Sequence, residues 1–306
     1  PGTPAAPIAV TPTPTPTEPE PTEPPAGSPP RERCADGRDV AESLRPSDAV
    51  GPAVRRILAR DALVVGVDQN SYLWGFRTPD TGRFVGFDID LVEAVAEELL
   101  GPNARVVYRA VPTSERIRLL REREVDMVVR TMSITCDRRR EVAFSSAYFE
   151  AGQQLVVPRR SGVTGLNGSL TGGRVCSATD STAEALLLER DVTSRGIGMV
   201  TTANHLDCVV LLQLGEAEAL VTDSALAAGH IAQDPTLRPV GDPLTVEPYG
   251  VAMHPDDEDL VRRVNRALEG FTAGGGDSAW HASYERWLAD HMEDPDPRPP
   301  VPVYRD

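Results

Sequence analysis

Twice along the chain, short β-branched apolar runs alternate with stretches of helical periodicity. Residues 63–67 (LVVGV) read as a buried strand by length and branching. Residues 86–100 (GFDIDLVEAVAEELL) read as an amphipathic helix stopped by Gly101-Pro102. A strand at 105–109, a helix at 114–123 and a strand at 125–129 complete a βαβαβ order, and residues 49–60 add a short helix before it. Parallel strands need long, usually helical, crossovers, so this order predicts a parallel sheet covered by helices. The rhythm then repeats. Strands are expected at 174–177, 199–201 and 219–222, with helices at 181–190, 204–214 and 223–233. The chain returns through a strand at 248–253 (PYGVAM) and helices at 257–271 and 277–290. In the last helix Trp280, Tyr284 and Trp287 recur every three or four residues, the spacing of a packing face. A chain of 306 residues is long enough for two such units, each with its own core.

The ends differ. Residues 1–33 carry PTPTPTEPEPTEPP, which cannot bury apolar area and favours extended polyproline II, so they read as a disordered, semi-rigid linker. Residues 293–306 (EDPDPRPPVPVYRD) read as an extended tail, on the surface or loose. The formal net charge of −15 argues against nucleic acid or an anionic membrane surface as partner. No apolar run approaches the roughly 20 residues that span a bilayer. No signal peptide is recognisable, as expected of a mature or trimmed chain.

Residues 130–149, RTMSITCDRRREVAFSSAYF, hold the densest chemistry. Hydroxyls at Thr131, Ser133 and Thr135 precede Arg138, and hydroxyls beside a fixed guanidinium make a carboxylate trap. Arginine grips a carboxylate with two parallel, charge-assisted hydrogen bonds. Ser133, Ile134, Thr135, Arg138, Phe144, Ser145 and Tyr148 fall into register with T-I-T-x-x-R-x-x-x-x-x-F-S-x-P-Y, with Ala147 in place of the proline. The stretch resembles the ligand loop of the extracytoplasmic solute-binding proteins that serve polar amino acid ABC transporters (family 3), actinobacterial glutamine-, glutamate- and aspartate-binding lipoproteins included. The resemblance covers residues 63–288. It implies a type II periplasmic-binding-protein fold: α/β, two lobes with parallel or mixed sheets, joined by a two-strand hinge near residues 153–157 and 246–251. The first lobe would comprise residues 34–155 and the returning 248–292, and the second 156–247. Such folds close on ligand by hinge motion.

The resemblance also implies a site for a free L-amino acid. Arg138 would hold the α-carboxylate, completed by the turn at Ser181 and Thr182, where a helix N-terminus favours an anion. Asp180 stands where the family often has glycine. Asp223 would accept the α-ammonium, with the carbonyl near Thr131 and the Ser133 hydroxyl. Asp68, Ser71 and Trp74 match a ligand segment where relatives present an aromatic wall. Ser71 in place of a stacking aromatic argues for a polar ligand. Arg116, in PTSER, matches an arginine that meets the distal carboxylate in aspartate- and glutamate-binding relatives, and Arg130 is a second candidate. Each has a plainer reading: a solvated helix-face arginine for Arg116, and a pair with a neighbouring acid for Arg130. The ligand expected first is aspartate or glutamate, with asparagine or glutamine next.

Four cysteines in a chain that looks exported suggest disulfides, and their spacing fits no zinc motif. Cys176 and Cys208 both fall in the second lobe and are paired. Cys34 then pairs with Cys136, tying the start of the ordered chain to the ligand loop. Four buried thiols are the alternative. No nucleophile elbow, P-loop or metal cluster is present, and the five histidines read as surface or packing residues. No cofactor or metal is expected. The expected protein is a monomeric, lipid-anchored receptor outside the cytoplasm that hands its ligand to an ABC transporter permease. Its rivals are an amino-acid sensor reporting to a membrane signalling partner, and an enzyme on the same fold, such as a dehydratase.

Overall fold

The computed structural model describes residues 32–306, so the expected linker lies outside the described residues but for its last two positions. Two mixed five-stranded sheets form the two lobes of a type II periplasmic-binding-protein fold. In the first, Leu63–Val67 pairs in parallel with Val106–Ala110 and Met127–Val128. The returning Ala252–Met253 then adds antiparallel between Met127–Val128 and Ala143–Phe144. In the second, Arg174–Ala178 lies parallel between Gly198–Thr202 and Ala219–Asp223. Gln153–Pro158 runs antiparallel between Ala219–Asp223 and Leu237–Val240. The chain crosses between the sheets on two strands, Phe149–Ala151 and Glu247–Tyr249, which pair antiparallel with each other.

Burial follows the sequence pattern. Helix Phe87–Leu100 hides Phe87, Leu91, Val92, Val95 and Leu99 against the first sheet's core. It begins at Gly86, whose φ of 128° and whose closeness to the Trp74 backbone (2.2 Å from an added Cβ to the carbonyl oxygen) admit no side chain. Helix Glu258–Thr272 buries Leu260, Val261, Val264, Leu268 and Phe271 in the same core. In Ala279–Trp287, Trp280 and Tyr284 are buried and Trp287 is half-buried. The second core gathers around Leu155, Val157, Val175, Leu187 and Val221.

Both disulfides form as paired from the sequence, Cys34–Cys136 with Cα atoms 5.5 Å apart and Cys176–Cys208 with 5.6 Å. The expected strand 248–253 is broken at Gly250, whose N–H donates to Met132 O instead. The C-terminal tail is not loose. Val303–Tyr304 pairs in parallel with Glu42–Ser43, and Asp306 bonds the Arg45 N–H and the Arg262 guanidinium. Proline-rich text gave no sign of this pairing, because two residues suffice to make it. Of the surface and packing readings of the histidines, His205 and His230 take the packing one, and burial pushes the His230 pKa down to about 4. Among the described residues, no helix is long and apolar enough to cross a membrane.

Candidate functional site

A cleft of ≈ 1400 Å³ is lined by both lobes. Arg116, Thr135 and Arg138 come from the first, Asp180, Ser181 and Thr182 from the second, and Glu247 from a crossover strand. The other sequence-predicted residues, Asp68, Ser71, Trp74, Arg130, Thr131, Ser133 and Asp223, are buried and do not line the cleft.

Arg116 opens helix Arg116–Arg121, after the tight turn Thr113–Glu115. It is 4% exposed, which removes the solvated-face reading. Its Nε–H donates to Thr113 O at 2.9 Å, and no carboxylate among the described residues pairs with it. Burial first, then repulsion from Arg138 and Arg130, pushes its pKa well below the usual value. Arginine stays protonated regardless, so the shift marks an uncompensated buried charge. Arg130 differs. Its Nη2 pairs with Asp68 Oδ2 at 2.8 Å, and its Nε–H donates to Val111 O at 2.7 Å. Asp68 also accepts from Ser71 Oγ at 2.7 Å, while the buried Arg130 Nη1 has no hydrogen-bond partner among the described residues.

Arg138 sits in a short turn within the ligand loop and is half-buried. Its Nη1–H donates to Ser133 O at 2.8 Å and its Nη2–H to Asp180 O at 3.1 Å, which ties the two lobes. A guanidinium has five N–H donors, so donors are left over. Burial lowers its pKa, opposed by Glu247, Asp223 and Asp180. Thr131 takes φ 41°, an unusual conformation for a β-branched residue. Its N–H donates to Asp88 Oδ2 at 2.8 Å, and Asp88 also accepts from the Tyr148 hydroxyl at 2.7 Å. Burial pushes Asp88 up to about 6.

In the second lobe, Ser181 caps helix Thr182–Glu189. Its Oγ accepts from Glu184 N–H at 3.1 Å, while Glu184 Oε2 accepts from the N–H of Asp180, one residue before the cap, at 2.7 Å. Asp180 adopts φ 58°, the left-handed conformation that glycine would supply. Asp223 ends strand Ala219–Asp223. It accepts from the Gln153 amide, and from the Tyr249 hydroxyl at 2.7 Å. Burial, then the Glu247 charge, pushes it up to about 7.

Trp74 departs from its expected place. It packs in the first-lobe core against Phe87, Phe149 and Tyr249, and its Nε1–H donates to Ala225 O at 3.0 Å. An indole fits such a spot because its single donor finds a carbonyl across the lobes. Sequence reasoning missed Glu247, Gln153 and Asp88. The signal for Asp88 was an acid on the apolar side of its helix. The signal for Glu247 was a carboxylate leading into the return strand. Glu247 Oε2 accepts from Ser133 Oγ at 2.6 Å and Thr182 Oγ1 at 2.7 Å, and Oε1 from Gln153 Nε2 at 3.0 Å and Thr245 Oγ1 at 3.1 Å.

The architecture and sequence have known counterparts. The chain is 30% identical over 235 residues to the ABC transporter glutamine-binding protein of Bacillus subtilis, covering 77% of this chain and 83% of that one. It is 29% identical over 229 residues to a glutamate-binding protein of Corynebacterium glutamicum, covering 71% and 74%. A solved ancestral arginine-binding protein bound to glutamine superposes with a TM-score of 0.68 at 31% identity, covering 75% of this chain and 98% of that one. The Neisseria gonorrhoeae receptor for L-cysteine shares the fold, with a TM-score of 0.74 at 20% identity over 81% and 99% of the two chains. The family model matching residues 63–290 is that of the bacterial extracellular solute-binding proteins, family 3, and the chain belongs to that family.

Proposed function

We propose that the protein captures a polar L-amino acid in its interlobe cleft outside the cytoplasm and presents it to an ABC importer, with glutamate and aspartate preferred over their amides. The observation that carries the reading is Arg116, a buried guanidinium on the cleft wall with no carboxylate partner among the described residues. A buried cation without a counter-charge is costly, and an incoming carboxylate offsets that cost. Arg138 lies on the same wall with donors to spare and takes the ligand's α-carboxylate beside the Thr182 helix N-terminus. Asp223, at the mouth of its strand, takes the α-ammonium. A cationic side chain would meet the charges of both Arg116 and Arg138, which disfavours it. Relatives named for glutamine and for glutamate agree with a ligand of this size and polarity. The site acts by binding, and no step of bond chemistry is assigned to it.

A thermal-shift screen of the twenty amino acids, followed by calorimetry, tests the proposal. L-glutamate or L-aspartate should give the largest stabilisation, and Arg138→Ala should abolish it. Stabilisation by lysine or arginine alone, or affinity unchanged in Arg138→Ala, would refute the reading.

A further inference from the structure

Resting on that reading, we infer that the ammonium site is built from two acids and an amide: Glu247 and Gln153 receive the ligand's α-ammonium together with Asp223. Acceptors are in excess around the Gln153 amide. The Gln153 Nε2 group carries two hydrogens, yet three acceptors converge on it: Asp223 Oδ1, Glu247 Oε1 at 3.0 Å and Thr182 Oγ1 at 3.0 Å. Two carboxylates are therefore gathered around one amide nitrogen. The carbonyl oxygen of that same amide, in a buried side chain, has no hydrogen-bond partner among the described residues. A buried acceptor left unmade costs free energy. Among the described residues, Arg138 donates to Ser133 O and Asp180 O and to neither this carbonyl nor these two carboxylates. A primary ammonium brings three N–H donors and one positive charge, which matches two carboxylates and one orphaned carbonyl.

This assignment changes what neighbouring hydroxyls do. Ser133 Oγ and Thr182 Oγ1 both donate to Glu247 Oε2, at 2.6 and 2.7 Å. They act as positioning residues for that carboxylate, one from each lobe. Glu247 itself reaches the cleft surface, whereas Asp223 does not. Glu247 is thus the acid that an entering ammonium meets first. Burial first, and then the nearby Glu247 charge, raise the Asp223 pKa, which agrees with two acids held close together in a buried place.

The test compares each amino acid with its deaminated analogue, L-glutamate against glutarate and L-glutamine against glutaramate, by calorimetry on the intact chain. The wild type should prefer the amino acid. Glu247→Gln keeps the shape and one acceptor oxygen but removes the charge. It should lower the amino-acid-to-analogue affinity ratio at least tenfold, and Asp223→Asn should do the same. Glu247→Asp withdraws the charge by one methylene and should lose part of the ratio, which keeps the inference testable should Glu247→Gln not fold. In a double-mutant cycle, Ser133→Ala should add little once Glu247 is Gln, because Ser133 acts through it. A ratio unchanged in the Glu247 variants but collapsed in Asp223→Asn overturns this inference and leaves the proposed function standing. A wild type that binds no amino acid overturns both.

Discussion

Arg116 and Asp223 both cost the ligand-free protein stability, one as an unpaired buried cation and the other as a buried acid. Arg116→Met should raise the melting temperature of the free protein while lowering affinity for glutamate about 10- to 100-fold, the range of a lost charged hydrogen bond. A variant that melts lower and binds as before would remove Arg116 from the site. For Asp223 the sign runs one way. Its pKa of about 7 lies above its unfolded value, so the native state keeps a proton that the unfolded chain has released. Its contribution to stability is therefore present at low pH and is lost as pH rises toward 7. A ligand ammonium beside Asp223 favours the carboxylate and expels that proton. Affinity should rise as pH climbs through about 7 and level off above it. Calorimetry in buffers of different ionisation enthalpy reads the release directly, and an affinity flat from pH 6 to 8 would sink the idea. Glu247, Arg138, Gln153 and Tyr249 face this carboxylate and set its titration.

At the scale of elements, helices and long strands were legible in the sequence because their periodicity is dense and their stops are marked by residues such as Gly101. Leu63–Val67 and Ala219–Asp223 lie within a residue of where the text puts them. The ligand loop was legible as a motif, but its wiring was not. Motif register identifies Ser133 and Thr182, while only the fold brings Glu247, 114 residues after Ser133, between them. Two-residue pairings such as Glu42–Ser43 with Val303–Tyr304 carry too little pattern to be read at all. The segment before the first sheet is held hard against the ligand loop. Cys34 is bonded to Cys136, and the Arg139 Nη1–H donates to Val40 O at 2.8 Å. Replacing both cysteines with serine should cost about 2–4 kcal/mol of stability, measured by denaturant unfolding. It should also weaken ligand affinity, because Cys136 is two residues from Arg138. Affinity unaltered by the replacement would show that the loop holds its shape without the bond.

For the whole molecule, the two halves already touch through directed bonds. The Trp74 indole donates to Ala225 O and Arg138 to Asp180 O. Trp74→Phe keeps an aromatic side chain, though a smaller one, deletes the donor and leaves the Ala225 carbonyl unmet. It should enlarge the radius of gyration of the ligand-free protein in small-angle scattering. It should also weaken ligand binding about threefold to tenfold, the range of one net hydrogen bond. An unchanged radius would assign that indole to core packing alone. The covalent cross-links have a further consequence. One ties residue 34 to residue 136 and the other residue 176 to residue 208, so neither spans the paired strands Phe149–Ala151 and Glu247–Tyr249. Oxidation therefore stiffens each shell of this clam separately and leaves its ligament free to flex.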